Sequence, residues 1–131
     1  MNGLTTIASD FPVKETIDRL ASVVISKGMT VFARINHGDN AVQHGLELRP
    51  TELIIFGNPN AGTVLMQDKQ TSGIDLPVKA LAWEDEQGAV WLTYNDAGWI
   101  GTRHGLTEKS DTVLHAIGDG MALVTGAATK K

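Results

Sequence analysis

The sequence predicts an α+β domain, on three observations. Residues 46–67, LELRPTELIIFGNPNAGTVLMQ, form an apolar run that breaks at Gly57 into an Asn-Pro-Asn turn and restarts as a second apolar segment. Val13, Ile17, Leu20, Ala21 and Val24 fall at the spacing of an amphipathic helix. Residues 76–83 and 89–94 alternate with the period of two expected of paired strands, around an acidic loop that ends in Gly88.

Size and composition bound the answer. A chain of 131 residues is expected to form one domain, 1–131, able to bury a core without disulfides or metal. Its 42% apolar and 20% charged content is that of a globular protein. Zero cysteines exclude a disulfide framework, thiol chemistry and a Cys-ligated metal site, and fit a cytoplasmic location. The first residues carry no basic and apolar leader pattern, and no run reaches membrane-spanning length, so no membrane partner is expected. The net charge of −4, with both signs interspersed, opposes phosphate-backbone binding, so no nucleic-acid partner is expected either.

Taken in order, residues 4–9 alternate as a short first strand. The first helix follows from Pro12, which suits an opening turn, and stops at Gly28; its Lys14, Glu15, Asp18 and Arg19 are expected to be solvated surface. Residues 30–37 return to strand spacing, with Val31, Ala33, Ile35 and His37 on one face and Phe32, Arg34 and Asn36 on the other. Asp39 is placed to cap a brief helical turn closed by Gly45.

Pro50 then fixes an extended entry to a strand near Glu52, and Leu53 to Phe56 read as a strand covered on both faces or central. Asn60 is placed to cap a short helix through Thr63 and Met66, and residues 68–74 read as a polar loop. After the hairpin, residues 99–106 suggest a short helix or loop holding Arg103 and His104. Thr107 opens a last helix striped by Val113, Leu114, Ile117, Met121 and Val124, with residues from 127 as tail. Gly118 and Gly120 each cost that helix about 1 kcal/mol against Ala, which points to close backbone contact with the sheet or another subunit.

The order His37, Gly45-Leu46, Leu48-Arg49-Pro50-Thr51, Phe56-Gly57-Asn58-Pro59, Gly62-Thr63, Leu65-Met66, Asp75-Leu76-Pro77, Lys79 and Trp91 to Tyr94 resembles the domain of unknown function 302 family. The resemblance covers nearly the whole chain. It implies one antiparallel sheet packed by two main helices, N-terminal and C-terminal, similar to the TATA-box-binding-protein-like fold, and a homodimer. It implies no established reaction and no catalytic residues.

Function is therefore sought in the residues. His37, Asn58, Thr63, Lys79, Arg103 and His104 are expected to converge near a helix start as a site for a small anionic or polar ligand, in a non-catalytic binding or sensor module acting as a homodimer. A second reading makes His37 a general base, oriented by Asp75, with Lys79 stabilising negative charge. A third makes the chain a dimeric protein-interaction module whose Trp83 or Trp91 face meets its partner. No cofactor is expected. His37 and His44 lack a third ligand at telling spacing, so no metal is expected.

Overall fold

The computed structural model describes residues 2–131. Five strands, β1 (Leu4–Ser9), β2 (Thr30–Asn36), β3 (Thr51–Gly57), β4 (Val78–Glu84) and β5 (Val90–Asn95), form one antiparallel sheet in the order β1-β5-β4-β3-β2. β1 and β2 lie at opposite edges, so the sheet is open. The helices are α1 (Val13–Ser26), α2 (His37–Gln43), α3 (Pro59–Asp68), α4 (Ala97–His104) and α5 (Asp111–Thr129), with tight helical turns at Gln70–Asp75 and Glu108–Ser110. This is the α+β class, with its antiparallel sheet and N- and C-terminal helices, that the periodicities and the resemblance predict.

The two periodicities decide what is buried. Ile17, Leu20 and Val24 of α1 are wholly shielded, packed in one core with Ile54, Phe56, Ala80, Ala82 and Leu92 of the sheet and Met121, Val124 and Ala128 of α5. Burying each large aliphatic side chain contributes about 2 kcal/mol. Ala80 and Ala82 sit on β4, the middle strand, where short side chains leave room for the bulk of α1. The opposite sheet face, with Leu53, Ile55, Leu81, Trp83 and Trp91, is half-buried.

Charged residues on α1 do more than meet solvent. Arg34 on β2 donates from Nε to Glu52 on β3 at 2.8 Å, and its Nη2 lies 2.8 Å from Asp18 of α1. The Glu52 side chain is only 7% exposed, so it depends on that guanidinium. The hydrogen bond that Arg34 donates to Glu52, and then that to Asp18, hold its pKa above the ordinary value against desolvation. Arg19 stacks over the Phe11 ring at 4.0 Å and donates to the carbonyls of Ala128 and Lys130, satisfying groups that the end of α5 leaves free.

Several local expectations are corrected. β2 does not alternate evenly, because its register skips Phe32: Val31 pairs with Phe56 and Ala33 with Ile55, so Val31 and Ala33 face opposite sides. Asn36 rather than Asp39 caps α2, its side chain accepting from the Asp39 N–H at 2.9 Å. Asn58 rather than Asn60 caps α3, which lets Pro59 occupy the first turn where its missing N–H costs nothing. Residues 127–129 are helix, not tail, and Ala128 and Thr129 are buried. Gly3, at φ +76, lies beneath Trp99, where a Cβ would come within 2.3 Å of the indole.

Replacing Arg34 with Leu strands the Glu52 carboxylate in the packed layer, and we expect a loss of about 3 kcal/mol in urea unfolding. Asp18→Asn, which leaves Glu52 paired, should cost less than 1 kcal/mol. Equal losses in the two variants would show that Glu52 finds another partner.

Candidate functional site

The strand register decides which predicted site residues meet. Asn36 pairs with Glu52, whereas Thr30 pairs with Gly57, so His37 leaves one end of the β2–β3 hairpin and Asn58 leaves the other. Six residues of β3 separate those ends by about 20 Å. His37 is exposed at its end, and the corner expected to join it to Asn58 does not form. Asn58, Lys79 and the segment after β5 do share an end, since Phe56 pairs with Val78 and Ala80 with Tyr94.

Three of the predicted residues, Lys79, Arg103 and His104, gather around Asp75. Arg103 Nη1 donates to both Asp75 oxygens, at 3.1 and 3.0 Å, with Trp99 beneath its guanidinium at 5.5 Å. His104 Nε2 lies 2.6 Å from Asp75 Oδ2, and its Nδ1 lies 3.1 Å from Thr71 Oγ1. A neutral imidazole satisfies both contacts, donating to the carboxylate and accepting from the hydroxyl. Lys79 Nζ donates to the Pro77 and Asp75 carbonyls at 2.8 and 3.2 Å. Burial lowers the Lys79 pKa, and the Asp75 charge acts in the opposite direction.

Asp75 thus orients His104 rather than His37. The hydroxyl–imidazole–carboxylate chain has the members of a catalytic triad, with the two ring nitrogens exchanged. It joins the Gln70–Asp75 turn to α4. Thr71 was missed by the sequence reading, although a signal existed: β4 and β5 form an out-and-back hairpin, which returns residues after β5 to the end where Asp75 precedes β4. A chain that doubles back over equal strands brings its flanks together.

The other two predicted residues, Asn58 and Thr63, line a separate cavity of about 430 Å³ between α3, α5 and the sheet end. Each already has one polar atom engaged within α3: Asn58 Oδ1 accepts from Asn60 N–H, and the Thr63 hydroxyl donates to the Pro59 carbonyl. The wall is otherwise apolar except for exposed Lys27. The two helices are tied together at one end by Asp68, the last residue of α3. Its carboxylate accepts from Thr107 N–H at 2.8 Å and from the hydroxyls of Thr107 and Ser110, just before α5. These donors, Ser110 first, lower the Asp68 pKa.

Residues 5–123 match the family described as Domain of unknown function DUF302. The chain belongs to the DUF302 family. The fold agrees with the crystal structure of an uncharacterized conserved DUF302 protein from Bacillus stearothermophilus, with TM-score 0.85, 16% identity, and coverage of 98% of this chain and 99% of that one. Greater sequence similarity is found elsewhere. The chain is 55% identical over 124 residues to a protein of Brucella suis biovar 1 (strain 1330) named fluoride-specific ion channel FluC 1, covering 95% of this chain and 49% of that protein. The same identity over 124 residues holds for FluC 1 of Brucella abortus biovar 1 (strain 9-941) and FluC 2 of Brucella melitensis biotype 1, of which 46% is covered. The DUF302 chain spans about half the length of these curated relatives.

These relatives correct the functional expectation. The small-ligand or sensor module, with its alternatives of a His37-based enzyme and a dimeric interaction module, gives way to similarity with half of proteins named as ion channels. Among the described residues no helix is long and apolar enough to cross a membrane.

The Asp68 tie has a defined pH dependence. Because its folded pKa lies below the unfolded value near 3.8, its stabilisation is complete above that value and is lost as pH falls through the folded pKa. Thermal melts of Asp68→Asn should show reduced stability at neutral pH and a shallower loss on acidification than the parent chain. Parallel acid limbs would show that the carboxylate contributes nothing through its charge.

Proposed function

We propose that this DUF302 chain is an accessory domain of a fluoride-specific ion channel system, standing outside the bilayer on its cytoplasmic side and adjusting fluoride passage through a separate membrane-embedded part. The supporting observation is 55% identity to about half of proteins bearing that channel name, in a chain whose sheet is open and whose described helices are too short or too polar to span a bilayer. An ion path needs a structure that satisfies its backbone within lipid, either membrane-length helices or a closed barrel. On this reading the ion path belongs to the other half of each relative, and the half similar to this chain acts upon it.

We propose separately, whatever the domain's role, that two copies of it pair. A sheet with helices packed against one face leaves Leu81, Trp83 and Trp91 half-buried on the other, and a second copy of that face is one way to cover them.

Vesicles loaded with fluoride test the first statement. Full-length Brucella suis relative is compared with a version lacking the part similar to this chain, alone and with the chain added back. Selective passage should survive the truncation at an altered rate, and the added chain should bind the truncated channel and restore the rate. Unchanged rates together with no binding would reject the accessory role. Light scattering tests the second: twice the chain mass is expected, falling to one chain mass in Leu81→Glu, and a monomeric parent chain at high concentration would reject the pairing.

A further inference from the structure

We infer that the cavity between α3 and α5 is a binding site for a single alkyl chain, such as the hydrocarbon part of a lipid or a free amphiphile. This goes beyond the accessory role and stands whether or not that role is correct. The cavity, about 430 Å³, is within the range of ligand sites rather than packing defects. Of its eighteen lining residues three carry polar side chains. Two of these already make a bond within α3, Asn58 through its Oδ1 and Thr63 through its hydroxyl donor, and the third, Lys27, is exposed at the C-terminal end of α1. The other fifteen lining residues offer no polar side chain, so selection rests mainly on burial of hydrocarbon.

Two features show a wall suited to a flexible guest. The chain contains four methionines, and the three after Met1, namely Met29, Met66 and Met121, all line this cavity. Their unbranched, polarisable side chains repack around irregular apolar partners, a property useful at an adaptable site and costly in a core that must specify one packing. The wall also contains helical glycines. A Cβ on Gly120 of α5 would meet nothing within 4 Å, and one on Gly62 of α3 would meet only the tips of Leu76 and Met66 at 3.9 Å. Gly120 therefore forgoes helix propensity without a close neighbour to require it; the space it leaves is the cavity itself. Gly118, by contrast, faces the Ala97 Cβ at 3.6 Å, so its contact is with α4 rather than the sheet.

The occupant is an alkyl chain inserted between the two helices, its polar end left in water near Lys27. The test titrates the purified chain with hexanol, heptanol and octanol by calorimetry while the methionine methyl resonances are followed. Affinity should rise about fourfold with each added methylene. The resonances of Met29, Met66 and Met121 should shift. Gly120→Leu fills the space and should abolish binding with the melting temperature unchanged or raised; Ala116→Leu, on the same wall, provides the second blocking variant should the first not fold. Phosphatidylglycerol vesicles then distinguish sources: methionine shifts identical to those with octanol point to a bilayer lipid as donor of the chain, and their absence points to a free amphiphile. No binding of any alcohol, equal affinity across the series, or full binding by a folded blocking variant would overturn the inference.

Discussion

The seating of α1 on the sheet is the constraint from which the other features follow. Its apolar stripe is wholly shielded against Ile54, Phe56, Ala80 and Ala82, and a single sheet has no other means of sequestering that face early in the chain. The helix stops at Ser26, and the chain turns at Gly28 to enter β2. Beyond that stop the same sheet face must be covered by α3 and α5, and there the covering is incomplete. Lys27 and Met29, just past the end of α1, lie on the cavity wall beside Phe56 and Val78. The hollow is thus a product of where α1 ends, and Asp68 fixes the spread of the two helices that continue its work.

The polar interactions follow the same division. Around α1 they are tight and structural: Arg34 joins the helix to two strands, and Arg19 closes the end of α5. At the far end of β4 they concentrate on Asp75, whose carboxylate draws Arg103 and His104 together. Asp75 is followed at once by Leu76 and Pro77, which belong to the cavity wall. One segment therefore carries an ion pair on one side and an apolar surface on the other.

Much of the architecture was legible because local periodicity and global burial agree. The 3.6-residue pattern of α1 and the two-residue patterns of β4 and β5 correspond to what the core contains. The site was less legible, since proximity in sequence was a poor guide to proximity in space. His37 and Asn58 flank one hairpin from opposite ends, whereas Asp75 and His104, twenty-nine residues apart, meet because the intervening chain goes out and returns. The caps were displaced by small margins: Asn58 and Asn60 both suit the position, and the choice between them falls to Pro59, which fits the first helical turn. Phe32 could not be recognised as an interruption, because an extra residue in a strand leaves no mark in an alternating pattern until a partner strand is laid beside it.

That extra residue also affects solubility at high concentration. β2 is an outer strand, with peptide groups free to recruit extended chain from another molecule. At Phe32 its ladder loses step and the backbone bends, so a straight incoming segment cannot stay in register along its length. Lateral growth into fibrils is thereby discouraged on that border of the molecule.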